Sequence, residues 1–144
     1  GGAIEALDHT VIECYFCIFK ENIADYGPGA IQVGKYSSIR LKHSIFMQNK
    51  AASDYEALGG AIYIDSNSDT DIESCNFTVN TVPIGFNYYD IASKGGTIWI
   101  NSYNNLKIHN SIFEGGQADE GGFIYIGKNS KATIDGSVFN NGIR

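Results

Sequence analysis

Gly59-Gly60-Ala61-Ile62-Tyr63-Ile64 decides the fold, because the same phrase is written, with small edits, in four other places. It stands at Gly1-Gly2-Ala3-Ile4-Glu5-Ala6, Pro28-Gly29-Ala30-Ile31-Gln32-Val33, Gly95-Gly96-Thr97-Ile98-Trp99-Ile100 and Gly121-Gly122-Phe123-Ile124-Tyr125-Ile126. A second phrase follows each: Cys17-Ile18-Phe19, Ser44-Ile45-Phe46, Cys75-Asn76-Phe77, Ser111-Ile112-Phe113 and Ser137-Val138-Phe139. From the second residue of each first phrase, here step 0, to the Phe is 17 residues every time. Successive periods are 27, 31, 36 and 26, so every difference in length falls after the Phe, in one corner of each coil. A fixed strand-bearing part with one variable loop per turn is the signature of a solenoid.

Inside the fixed part the period is two, as strands require. Steps 2 and 4 are apolar throughout, led by Ile4, Ile31, Ile62, Ile98 and Ile124; steps 10 and 12 carry a second inward pair, from Ile12 and Cys14 to Ala132 and Ile134. Steps 15 and 17 hold a small Cys or Ser and then Phe19, Phe46, Phe77, Phe113 or Phe139. Like residues at like steps stack coil over coil at the roughly 4.8 Å spacing of paired strands. The expected fold is all-β, a right-handed parallel β-helix of about five coils of three short strands; the hand follows the chirality of parallel crossovers. It forms a single segment over residues 1–144, with coils starting near 1, 28, 59, 95 and 121, read as an excerpt or unit of a longer solenoid or filament. Step 20 reads Asn22, Asn49, Asn80, Gly116 and Gly142, two residue types that tolerate the left-handed backbone, so positive φ is expected there, with the Asn amides bonded along the axis. Outward steps 11 (Glu13, Arg40, Asp71, Lys107, Thr133) and 13 (Tyr15, Lys42, Glu73, His109, Asp135) alternate in charge, which sets register.

Composition bounds the partners. A formal net charge of −6 argues against a nucleic-acid surface, and no apolar run approaches the roughly 20 residues that would insert in a membrane. The chain opens inside a repeat, without a signal peptide in view. Cys14 and Cys17 form a C-x-x-C on a strand-rich stretch, without the helix N-terminus that would activate a thiol, and with Cys75 are read as small buried residues.

Gly-Gly-Ala-Ile at 1–4 and 59–62, with Phe-x-x-Asn at Phe19–Asn22, Phe46–Asn49 and Phe77–Asn80, resembles the repeats of chlamydial polymorphic outer membrane proteins. More broadly the chain is similar to pectin-lyase-like β-helix proteins of bacteria and protists. The resemblance implies the fold strongly and, for function, adhesion and surface display. Gly116 and Gly142 depart from its Phe-x-x-Asn pattern.

Polysaccharide cleavage on such a fold needs carboxylates with a base on one strand face. Outward step 3 is Glu5, Gln32, Tyr63, Trp99 and Tyr125, one acid and no base, and Asp71, near Asp65 and Asp69, is already a rung of the charge ladder, so no catalytic site, cofactor or metal is expected. Asp25, Glu56, Asp119 and Glu120 are read as a solvated acidic corner rather than a calcium site, and His9, His43 and His109 as surface residues. Three features stand out. Tyr63, Trp99 and Tyr125 are expected to stack as an exposed carbohydrate platform or a sheet-stabilising ladder. Asn76-Phe77-Thr78 is an N-glycosylation sequon. Outward step 16 is Ile18, Ile45, Asn76, Ile112 and Val138, an apolar stripe to be covered by loops or by another molecule. The sequence therefore reads as a non-catalytic structural or adhesive module, extracellular or at a cell surface, whose partners are like coils end to end and glycans; a carbohydrate-binding or polysaccharide-cleaving domain is the alternative.

Overall fold

The computed structural model describes residues 1–52, 57–85 and 92–143, and every named element in them is a β-strand. Five first strands (Ile4–Ala6, Ile31–Val33, Ile62–Ile64, Ile98–Ile100, Ile124–Ile126) make one parallel sheet. The second strands (Val11–Tyr15, Ser38–Lys42, Asp69–Glu73, Asn105–His109, Lys131–Asp135) and the third (Ile18–Lys20, Ile45–Met47, Asn76–Thr78, Ile112–Glu114, Val138–Asn140) make two more, each in coil order. Register runs step on step: Ile31 pairs with Ile4 and Ile62, Leu41 with Cys14 and Ile72, and Phe77 with Phe46 and Phe113. A fourth column continues at step 21 through Ile23, Lys50, Thr81, Gln117 and Ile143, so the constant part of the coil outlasts the Phe by several residues. Extra length in the second and third coils falls within 52–59 and 83–95, where Glu56 lies outside the described residues.

Burial follows the ladders. Ile31, Ile62, Ile98, Phe46, Phe77 and Phe113 are all fully buried, each worth about 1.5–3 kcal/mol of transfer free energy. Five Phe rings lie nearly parallel, with centroids 4.7, 4.9, 4.6 and 4.7 Å apart from Phe19 to Phe139. Outside these three middle coils the core opens: Ile4, Ile12 and Phe19 are only partly buried, and Phe139 is 39% exposed.

Each corner is made by one residue in the left-handed region. At step 7 these are His9, Tyr36, Asn67, Tyr103 and Asn129; at step 14, Phe16, His43, Ser74, Asn110 and Gly136. A third set occupies step 19: Glu21, Gln48, Val79, Gly115 and Asn141. The positive φ expected at Asn22, Asn49, Asn80, Gly116 and Gly142 is thus displaced by one residue. The physical reason lies in the residue after the corner, which points inward. Its side-chain oxygen takes the N–H that the preceding coil's corner removes from the sheet ladder. Asn22 N donates to Asn49 Oδ1 at 3.2 Å and Asn49 N to Asn80 Oδ1 at 3.1 Å, while the amides themselves bond along the axis at 2.8 Å, as the sequence led one to expect.

The same device serves the other corners. Step 15 bonds Cys17 N to Ser44 Oγ, Cys75 N to Ser111 Oγ and Ser111 N to Ser137 Oγ, each at 3.1 Å. Step 8 runs Thr10, Ser37, Ser68, Asn104 and Ser130, each N–H donating to the next side-chain oxygen at 2.6–3.1 Å. Its signal was legible, a column of only Ser, Thr and Asn. Glycine at Gly116 and Gly142 has a different cause from backbone freedom. A Cβ there would stand 2.5 and 2.6 Å from the Phe123 ring, which fills the space that amides occupy in the earlier coils.

Candidate functional site

Three outer faces present three different chemistries. On the first sheet Trp99 pairs in register with Tyr63 and Tyr125, so the expected aromatic column exists. Its geometry is not a platform. Trp99 is only 9% exposed, and its ring meets Tyr63 at 73° and 5.3 Å and Tyr125 at 87° and 6.0 Å, the edge-to-face arrangement that aromatic quadrupoles favour. Lys94 places its ammonium 5.8 Å from the Trp99 ring centroid and 5.1 Å from that of Tyr125, in cation–π range. The expectation of three exposed stacked rings is therefore corrected: the column is an interlocked ladder partly covered from the side.

The second sheet carries the charge ladders. Arg40 Nη1 reaches Glu13 at 2.7 Å and its Nε lies 3.9 Å from Asp71; one column over, Lys42 meets Glu73 at 2.6 Å and His109 Nδ1 meets Asp135 at 2.6 Å. The hydrogen bond from Lys42, with its charge, holds the Glu73 carboxyl below its ordinary value, and Glu73 in turn raises Lys42. A shallow cleft of about 310 Å³ runs across this face between Glu13, Arg40, Asp69, Asp71 and Lys107.

The remaining chemistry-bearing residues serve the frame. Asp65 accepts from Ser66 N at 2.7 Å and from Asn101 Nδ2 at 2.9 Å. Burial works against ionisation of Asp119, but hydrogen bonds from Gly85 N, Ser93 N and Ser93 Oγ at 2.8–2.9 Å outweigh it and hold the carboxyl below its usual value. Asp119 thus ties residues 85 and 93 to the fourth coil. Among the described residues no three His, Cys, Asp or Glu side chains gather as a metal site. Cys14 is pushed up to about 11, chiefly by burial, and burial raises Cys75 as well, so neither is a ready thiolate. His9 and His43 are exposed, stacked on Tyr36 and Phe16 at 5.2 and 4.9 Å.

On the third sheet the apolar stripe faces solvent: Ile18 is 69%, Ile112 45% and Val138 47% exposed, with Asn76 exposed at its centre. Thr78 Oγ1 donates to Asn76 Oδ1 at 3.1 Å, which joins the two polar residues of the sequon on the outer face.

The family model described as a right handed beta helix region matches residues 1–143. The chain belongs to the right-handed β-helix family. No curated protein and no solved structure matches it. Membership explains the like-on-like ladders and corners of this β-helix, and leaves its outer faces as the place where a particular role resides.

Proposed function

We propose that this β-helix is a non-catalytic structural and adhesive segment of an extracellular surface protein or fibre, continued end to end by like coils. One observation carries the reading: every coil repeats the same buried Ile and Phe ladders in the same register, so that any coil can stack on a like coil. The corner N–H of step 8 is taken by a side-chain oxygen of the following coil from Thr10 through Asn104, and that of step 20 from Asn22 and Asn49, and Thr10 and Asn22 carry such oxygens for a like coil placed before them. That neighbouring coil comes from flanking chain or from a second copy. The resemblance to chlamydial surface repeats supports a surface location. A carbohydrate platform ranks second, because a sugar needs an open ring face and Trp99 offers none.

The test is sedimentation of the 144-residue chain beside a Phe139→Arg, Ile134→Asp variant, which places charge on the open cross-section while leaving the buried coils intact. The expected result is concentration-dependent association of the unmodified chain and its loss in the variant. A unmodified chain that stays a 15.7 kDa monomer at high concentration would overturn the end-to-end reading.

A further inference from the structure

The third sheet is the one whose outer face carries neither a continuous charge ladder nor the Lys94-capped aromatic ladder. Read along the axis, its step-16 column is Ile18, Ile45, Asn76, Ile112, Val138. The order is palindromic: aliphatic, aliphatic, amide, aliphatic, aliphatic. A face of this kind is complementary to itself under a two-fold axis. Let that axis pass through the third coil, in the plane between two such sheets and along the strand direction. Asn76 then faces Asn76 of the second copy, Ile45 faces its Ile112, and Ile18 faces its Val138.

The neighbouring outward column at step 18 selects this arrangement over one with the solenoids parallel. It reads Lys20, Met47, Thr78, Glu114 and Asn140. Under the antiparallel two-fold, step 18 lies over step 18, so Lys20 comes one rung from Glu114 of the second copy, twice by symmetry. A rung is about 4.8 Å, within reach of a Lys side chain. Under a two-fold parallel to the axis, step 18 would instead lie over the step-14 corner, where Lys20 meets Phe16 and Glu114 meets Asn110, and no charge is matched. An amide at the dyad of an otherwise apolar seam also has a known physical use: two Asn side chains pair with each other and penalise any slipped register.

We propose that the third sheet pairs laterally with a second copy of this chain in antiparallel orientation, with Asn76 on the two-fold axis. The stripe spans only five rungs, roughly 20 Å, so pairing of five coils is weak and strengthens as coils are added along a fibre. This contact is independent of end-to-end stacking, which never brings the third coil of one copy beside the third coil of another.

Oxidative cross-linking tests it directly. Asn76→Cys in the full chain, with Lys107→Cys on the charged sheet as control, is oxidised at rising concentration and read on a non-reducing gel. The expected result is a disulfide-linked dimer for Asn76→Cys at least tenfold in excess of the control. Ile45→Cys mixed with Ile112→Cys is expected to give the mixed dimer, and Ile45→Cys alone little. Failure of Asn76→Cys to exceed the control overturns the proposal, as does efficient self-linking of Ile45→Cys, the outcome of parallel pairing. Mass analysis of native material gives a second readout: a glycan on Asn76 would keep the dyad from closing and would equally overturn it.

Discussion

A left-handed corner is cheap for Gly or Asn and costly for a β-branched side chain, and Val79 sits in one at φ 52°. Its counterparts Glu21, Gln48, Gly115 and Asn141 share the conformation but little chemistry, which is why no column signal marks step 19 in the sequence. Val79→Gly is expected to gain about 1 kcal/mol, a rise in Tm of roughly 3 °C for a chain of this size. An unchanged or lower Tm would show that the corner carries no strain. Step 20 misled for a related reason: Asn and Gly share tolerance of positive φ, yet Asn22, Asn49 and Asn80 are there for their axial run of amides, while at Gly116 and Gly142 a Cβ would meet the Phe123 ring and, at Gly116, the backbone oxygen of Gly122 as well. Gly116→Asn alone is therefore expected to destabilise, and combined with Phe123→Ala to recover part of the loss. A double-mutant cycle should give a coupling of about 1–3 kcal/mol. Additive effects would sever the link between the two positions.

Strands and ladders were legible because a solenoid repeats each choice five times: the Ile, Phe and charge columns found by counting steps pair in the structure as counted. The outer aromatic column shows where counting stops. Position in the ladder placed Tyr63, Trp99 and Tyr125 side by side, but ring tilt is set by rotamers, and Lys94, in register with Leu58 and Glu120, is a residue type that its column does not repeat. Charge ladders, by contrast, make a pH prediction. Glu73 has a lowered folded value, so its contribution is complete above the unfolded value of about 4.3 and is lost as pH falls through the folded one. Lys42 is raised, so its contribution is complete below about 10.4 and is lost as pH rises through its folded value. Glu73→Gln is expected to flatten the fall of Tm at both edges while leaving the neutral plateau lower. Wild-type and variant curves that run parallel from acid to alkaline pH would exclude the pair as the source.

For the molecule as a whole, stability is close to a sum over coils and the interfaces between neighbours, so whole coils are the natural unit of change. Core ladders are indifferent to which coil stacks on which, since Ile meets Ile and Phe meets Phe in every order. Outer charge is not indifferent. Step 11 reads Glu13, Arg40, Asp71, Lys107, and step 13 follows with Lys42, Glu73 and His109. Duplicating residues 29–95, the second and third coils together, keeps the signs alternating: Arg40, Asp71, Arg40, Asp71, Lys107. Duplicating residues 29–59 alone stacks Arg40 on Arg40 and Lys42 on Lys42. Both insertions lengthen the buried ladders without disturbing a corner, so each is expected to fold. The two-coil duplication is expected to melt well above the original chain, and the one-coil duplication to gain less or nothing at low ionic strength. Salt discriminates the cause. At 1 M the Debye length is about 3 Å and rungs about 4.8 Å apart are screened, so the gains per added coil of the two forms should converge. If the gains per added coil differ as much in 1 M salt as in low salt, or are equal at low salt, charge alternation is not what holds these coils in register.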